Sequence, residues 1–405
     1  MERKASKLVK KRLFSIIGAG SGLPDGLTNE AKDTILSCDV VFSTERLANG
    51  LKSIKDIIVK PTAQLAQSAL DVKAEHIGIL VSGDTGFFSV AGSLYNKLKD
   101  NGKVQMICGL NSMQMICAKF GVSYQDAFWL SLHGRKGSLL GAVSYNKKVF
   151  VLTGGNQNAQ KLCQTLVAAG LGDINVSIGE NIGADNELIL SDTAEKLSER
   201  KFSDLVVMLI ENPNAGQKDL AVLDADMERA SVPMTKQEAR WTAVKLLNIK
   251  PDETVYDIGA GTGSVCMEMA RKAYNGMVYA VERKKEAIEL IEKNRRNLGC
   301  FNVLPLEGQA KDIIDKLPPA DAVFIGGSDG QMQEVVKKLI EKNPKVRVVI
   351  SAVSLETLSE AQNAIKLFDV QNIVQVHAVR AHRMNDTTPF SSNNPIYLLY
   401  GASQD

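Results

Sequence analysis

The chain has 405 residues, 44% hydrophobic and 23% charged, with a net charge of +2. This length exceeds one ordinary domain and leaves room for two or three hydrophobic cores. The composition excludes a disordered or low-complexity chain, and the small charge argues against nucleic acid as a partner.

The basic start MERKASKLVKKR is followed by no apolar stretch of signal-peptide length, and no run approaches the roughly 20 apolar residues that span a bilayer. A cytoplasmic protein with a solvated basic tail and no membrane partner is expected. The six cysteines show no CxxC pair and mostly lie in apolar runs, so they read as small buried hydrophobes. The four histidines are scattered, and no protein metal site is expected.

Short β-rich runs alternate with amphipathic segments, which predicts α/β architecture with largely parallel sheets. In the first half the predicted strands are Leu13–Ile17, Val40–Ser43, Ile77–Ser82, Val104–Cys108, Lys148–Leu152, Val176–Ile178 and Leu205–Ile210. Helices are predicted at Asn29–Ser37, Gln114–Phe120 and Gln157–Ala169, with Thr28 as a helix N-cap. The alternation breaks in the polar stretch ENPNAGQKDLAVLDADMERASVP, which places a boundary near Asp219–Ser231. Beyond it strands are predicted at Thr254–Ile258, Met277–Val281, Asn302–Leu306, Ala322–Ile325 and Val346–Ser351. Val374–Val379 and Ile396–Tyr400 read as a final strand pair joined by a hairpin or a long loop. No internal repeat is visible.

The sharpest motif is TVYDIGAGTGSV: a β-run ending at Asp257-Ile258, glycines at 259, 261 and 263, and a helix starting near Ser264. Glycine permits unusual backbone angles and close approach of a ligand, and the helix start offers unpaired amides. The dinucleotide fingerprint G-x-G-x-x-G/A fails because its sixth position is Ser264. The next strand ends in Glu282, where a carboxylate can accept both ribose hydroxyls. EGQA (residues 307–310) and Ile325-Gly326-Gly327 end the following strands.

The G-x-G-x-G spacing resembles motif I of the Rossmann-like S-adenosylmethionine methyltransferases. With VPMTKQEAR ahead of it, residues 231–405 resemble the decarboxylating precorrin methyltransferases that act on carbon 15. This resemblance implies cofactor contacts at Thr235, Gly259, Ala260, Gly261, Thr262, Gly263, Glu282 and Ala310. Thr235 also reads as a helix N-cap, with Glu238 completing a capping box.

In the first half, IIGAGSGLPDGLT, LVSGDTGFFS, CGLNSMQ and WLSLHGR occur in order. Together they resemble the tetrapyrrole methylases, although Ser21 and Thr85 stand where the family has proline. This resemblance implies two α/β subdomains, a homo-oligomer, and S-adenosylmethionine contacts at Gly18, Gly20, Gly22, Asp84, Phe87, Asn111 and Ser112. Alone, Asp84 would more often be a turn cap and His133 a loop histidine.

The order of the halves resembles the fused precorrin C(5,15)-methyltransferases (decarboxylating) of cobalamin biosynthesis. The expected division is 11–212, a linker at 213–230, and 231–405. The implied partner is a tetrapyrrole, either precorrin or cobalt-precorrin, whose carboxylates call for cations. The candidates are Arg135, Arg240, Arg380 and Arg383, and no catalytic residue is assigned. An RNA or protein methyltransferase and a non-catalytic S-adenosylmethionine-binding protein stay open as alternatives.

Overall fold

The computed structural model describes residues 12–134, 137–327, 330–381, 383 and 387–404. Residues 1–11 of the basic leader and Arg135 lie outside the described residues; the leader's last residue, Arg12, donates to the carbonyls of Ala69, Leu70 and Val72. Strands β1 (Leu13–Gly18), β2 (Val40–Ser43), β3 (Ile58–Val59), β4 (His76–Val81) and β5 (Lys103–Ile107) form a parallel sheet in the order β3-β2-β4-β1-β5. Phe14, Ile16 and Ile17 of central β1 are fully buried, as expected for a parallel strand covered on both faces. Thr28 caps the helix Asn29–Ser37 by accepting from the Ala31 amide. Asn111 caps the helix Ser112–Phe120 in a reciprocal box with Gln114, and Gly121 ends it in the left-handed region.

A second sheet contains β6 (Phe128–Ser131), β7 (Lys148–Leu152), β8 (Asn175–Glu180), β9 (Leu188–Thr193) and β10 (Val206–Glu211), in the order β6-β7-β10-β8-β9. Three of these first-half strands escape the sequence pattern for physical reasons. β3 has only two residues, β9 is a half-buried edge strand whose apolar run stops after Leu188–Leu190, and β6 is a short FWLS segment.

The third sheet is built from β11 (Thr254–Ile258), β12 (Met277–Glu282), β13 (Val303–Glu307), β14 (Ala322–Ile325), β15 (Arg347–Ala352), β16 (Val370–Val376) and the last strand, Ile396–Ala402. Between β16 and that last strand, β17 (Val379–Ala381) and β18 (Phe390–Ser392) pair as a small antiparallel ribbon. With Ile396–Ala402 as β19, the seven-stranded order is β13-β12-β11-β14-β15-β19-β16. β19 runs antiparallel to both neighbours, while the pairs from β13 to β15 are parallel. The expected final strand pair is therefore present, but Val379 belongs to the ribbon and not to the strand before it.

One further correction concerns the helix Gln237–Leu247. Its N-cap is Lys236, with no side-chain cap, so Thr235 and Glu238 do not form a capping box. Glu238 instead pairs with Arg380.

The chain divides into two units: Met1–Gly134, Phe150–Lys161 and Asn175–Leu209 form one, and Arg135–Val149, Leu162–Ile174 and Ile210–Asp405 the other. In the second unit the helix Leu139–Tyr145 is nearly all buried. Its Tyr145 hydroxyl donates to Asn302 Oδ1 (3.1 Å), and its Ser144 hydroxyl accepts from the Phe301 amide (3.0 Å). Asn302 is fully buried and donates to the carbonyls of Ala270 and Ala273. A β-carbon at Gly141 would stand 2.5 Å from the Tyr274 carbonyl oxygen, so only glycine fits this contact. Gly141→Ala is expected to cost about 1–3 kcal/mol of stability, the usual toll of overpacking, measured by equilibrium urea unfolding.

Candidate functional site

At the carboxyl edge of the third sheet, the chain turns after β11 through Gly259 (φ 70°), Gly261 (φ 55°) and Gly263 (φ 79°). A β-carbon at Gly259 would lie 2.7 Å from the Gly327 carbonyl oxygen and 2.9 Å from its amide nitrogen. The loops after β11 and β14 therefore meet backbone to backbone, tied by the Gly326 amide donating to the Ile258 carbonyl at 2.8 Å. Glu282 ends β12. Its carboxylate accepts from the Gly261 amide (3.0 Å) and from the amides of Arg283 (2.8 Å) and Lys284 (3.0 Å). Around these loops lies a cleft of about 940 Å³, large for a small-molecule site.

The cleft is lined by Thr235, Gly259, Ala260, Gly261, Thr262, Glu282 and Ala310, while Gly263 caps the helix Ser264–Lys272 behind it. Asp257 also lines it, fully buried, and neither carboxylate oxygen has a hydrogen-bond partner. The Thr262 hydroxyl is likewise buried and unpartnered. Burial pushes the Asp257 carboxyl up to about 7, against an opposing pull from the Cys266 backbone beside it, and the nearby Glu282 carboxylate adds to the rise.

Two of the candidate arginines are engaged inside the protein. Arg240 is fully buried and donates to the carbonyls of Val222 (2.6 Å) and Thr235 (2.8 Å) and to Asp224 (3.1 Å). It cannot be presented to a substrate, which corrects the sequence expectation. Arg380 extends from β17 to Glu238 (2.7 Å) and Asp224 (3.3 Å), and its guanidinium holds the Glu238 carboxyl below the usual range. Its charge is thus already neutralised, and a role in gripping substrate carboxylates is set aside. Arg383 is exposed.

In the first unit, Gly18, Gly83 and Gly109 crowd together at the ends of β1, β4 and β5. A β-carbon at Gly18 would stand 2.7 Å from the Gly109 amide nitrogen and 2.8 Å from the Gly83 carbonyl oxygen. Gly20 (φ 56°) exchanges backbone hydrogen bonds with Gly83, and Gly22 (φ 88°) closes the turn. Asp84 accepts from the amides of Gly86 (2.7 Å) and Gly109 (3.1 Å), so its carboxylate ties two of these loops together. Phe87 packs edge-on against Trp129, with centroids 5.5 Å apart, and near Phe150. Asn111 caps the helix that Ser112 begins.

Sequence reasoning did not assign several residues that the structure brings to these loops. Arg46 donates to the Ser21 carbonyl (3.1 Å) and the Ser82 hydroxyl (2.7 Å), joining the loops after β1 and β4. Lys236, Glu356, Thr357 and Glu360 line the cleft of the second unit. The last three follow the end of β15, and the rule that ligands bind beyond strand carboxyl ends was signal enough to find them.

The raised pKa of Asp257 makes stability depend on pH with a definite sign. Below its ordinary value of 3.8 the folded and unfolded chains both hold the proton. Between there and about 7 the unfolded chain ionises first, and the folded state loses stability, by roughly 4 kcal/mol once the window is crossed. Asp257→Asn removes this loss. Urea unfolding from pH 4 to 8 should show the variant gaining on the parent up to about pH 7, then a constant difference; a difference independent of pH would contradict the assignment.

Comparison with known proteins adds two matches, one in each part of the chain. Residues 13–198 match the Tetrapyrrole (Corrin/Porphyrin) Methylases, and residues 228–401 match the Precorrin methyltransferase domain. Precorrin-6Y C(5,15)-methyltransferase [decarboxylating] of Sinorhizobium sp is 26% identical over 80% of this chain and 82% of its own length. The probable cobalt-precorrin-6B C(15)-methyltransferase (decarboxylating) of Methanosarcina mazei is 33% identical over 42% of this chain and 94% of its own. The crystal structure of precorrin-6y C5,15-methyltransferase from Geobacter metallireducens GS-15 is 28% identical, covers 46% of this chain and 97% of that one, and has a TM-score of 0.43. With a tetrapyrrole-methylase region followed by a precorrin-methyltransferase region, the chain is a homologue of the precorrin-6Y C(5,15)-methyltransferases (decarboxylating), and its second region belongs to the family of the decarboxylating precorrin C(15)-methyltransferases.

Proposed function

We propose that this chain methylates a precorrin macrocycle at carbons 5 and 15 and removes carbon dioxide from an acetate side chain, with S-adenosylmethionine as donor at two sites. The observation that carries this reading is the presence, in one chain, of both family regions, each with a glycine-lined turn at a strand's carboxyl end. Carbon-5 methylation belongs to residues 11–212, and carbon-15 methylation with decarboxylation to 231–405, with 213–230 as the connector. Six free cysteines suit a reducing, cytoplasmic setting.

The residues of the second cleft fit the cofactor. Gly259 lets the loop after β14 close against the turn, Glu282 offers a carboxylate to ribose hydroxyls, and the buried oxygens of Asp257 and Thr262 stand open to polar partners. In the first unit Gly18, Gly20 and Gly22, with Asp84, Phe87, Asn111 and Ser112, are the proposed counterpart. When bound, S-adenosylmethionine supplies an electrophilic methyl group. The meso carbons of a precorrin are electron-rich, so the chain's task is mainly to hold carbon and methyl in line and keep water out. Val353, Val376 and Ile396 give the cleft apolar wall, while Lys236 and Lys284 give the substrate carboxylates cationic partners. Loss of carbon dioxide leaves an electron pair that the macrocycle delocalises, and a proton then completes the methyl group that replaces the acetate.

Mass spectrometry of the tetrapyrrole after incubation with S-adenosylmethionine tests this, with metal-free and cobalt-loaded substrates offered in parallel. The expected product carries two more methyl groups and one carbon dioxide less, and the substrate that reacts identifies the acceptor. Gly259→Ala should cut carbon-15 methylation and carbon dioxide release at least about a hundredfold while leaving carbon-5 methylation intact. Gly18→Ala should do the reverse. No mass change with either substrate, from protein that binds the cofactor, would refute the corrin reading.

A further inference from the structure

Asn294 lies on the helix Lys285–Asn297, fully buried. Its side-chain amide reaches two segments at once. Nδ2 donates to the Thr262 carbonyl (2.9 Å) and the Glu228 carbonyl (2.8 Å), and Oδ1 accepts from the Glu228 amide (2.8 Å). Thr262 stands between Gly261 and Gly263, both at positive φ, in the turn that lines the cleft. It also precedes Gly263, the N-cap of the helix Ser264–Lys272, so its carbonyl lies outside that helix's hydrogen-bond ladder. Asn294 supplies the donor that the helix cannot.

Glu228 belongs to the irregular segment that leads into the second cleft. Upstream the same segment is held by other buried side chains. The Val222 amide donates to Glu268 (2.6 Å), and the Leu220 carbonyl accepts from Arg271 (2.6 Å).

We infer that Asn294 is a positioning residue for carbon-15 methylation: by joining Glu228 to Thr262 it makes the segment 222–228 part of the cofactor-binding turn. The turn keeps its shape only while that segment is docked. The inference rests on the reading of the Gly259–Gly263 turn as the S-adenosylmethionine site. Coupling of two elements is reciprocal, so a ligand that orders the turn also stabilises the docked segment.

Carbon dioxide release reports the second site alone, its kcat at saturating S-adenosylmethionine reports that the second unit is folded, and carbon-5 methylation reports the first. Asn294→Asp keeps the acceptor for the Glu228 amide and removes both donors. It is expected to raise KM for S-adenosylmethionine in carbon dioxide release about tenfold, with kcat changed less than threefold and carbon-5 methylation unchanged. Arg271→Met frees the Leu220 carbonyl without touching the turn and should leave that KM within twofold. An unchanged KM in Asn294→Asp, or an equal rise in Arg271→Met, overturns the inference.

Hydrogen exchange on the parent chain decides the matter even if the variant does not fold. S-adenosylhomocysteine should slow exchange at least about tenfold in peptides covering 259–266 and also in those covering 222–230. Protection of the turn without protection of the segment refutes the coupling. Protection of neither refutes the cofactor site itself.

Discussion

Gly259 and Gly327 approach so closely that no β-carbon fits at residue 259. This contact fuses the turns after β11 and β14 into one backbone surface, and the cleft is built outward from it. A side chain there would push the two strand ends apart. Glu282 reinforces the same surface from beneath by accepting the Gly261 amide. Its carboxylate is held in one orientation by three backbone amides, those of Gly261, Arg283 and Lys284. The first unit solves a similar problem with different parts: Gly18, Gly83 and Gly109 replace the glycine pair, and Asp84 ties the loops through two amides.

The position of Asp257 follows from that construction. A carboxylate at the end of a central strand, walled in by a glycine turn, loses more in water than the neighbouring Cys266 amide and thiol return. The fold bears that cost at the floor of the cleft, where perturbed ionisable groups characteristically mark function.

Much of this was legible in the sequence, because β-run, glycine turn and helix start are local signals. DIGAGTGSV located the turn to the residue, and Glu282 was read from the end of its strand, whereas Ala310 came only from the family resemblance. What escaped was set by distant partners. Arg240 and Arg380 carry charge, and charge alone names no counterpart; Asp224 and Glu238 proved to be waiting for them inside the protein. Thr235 and Glu238 have the spacing of a capping box, yet the helix begins at Gln237 and Glu238 is held by Arg380 instead. The helix Leu139–Tyr145 lies within the first family match, but it packs with the second unit through contacts such as Tyr145 to Asn302 that span 157 residues.

The same reasoning explains why the segment from Leu220 to Glu228 is surrounded by buried polar side chains. Apart from the single turn Asp224–Asp226 it has no regular structure, so its backbone groups cannot satisfy one another. Each must find a partner or stay in water. Arg271 takes the Leu220 carbonyl, Glu268 and Arg240 take the amide and carbonyl of Val222, and Asn294 takes both groups of Glu228. Apolar residues at those positions could bury the segment, but they would leave its amides and carbonyls unpaired, at about 1–3 kcal/mol each. The arginine in VPMTKQEAR, which on charge alone suggests a substrate contact, is therefore accounted for by the connector. It holds main-chain carbonyls, those of Val222 and Thr235, in a stretch that has no strand to pair with.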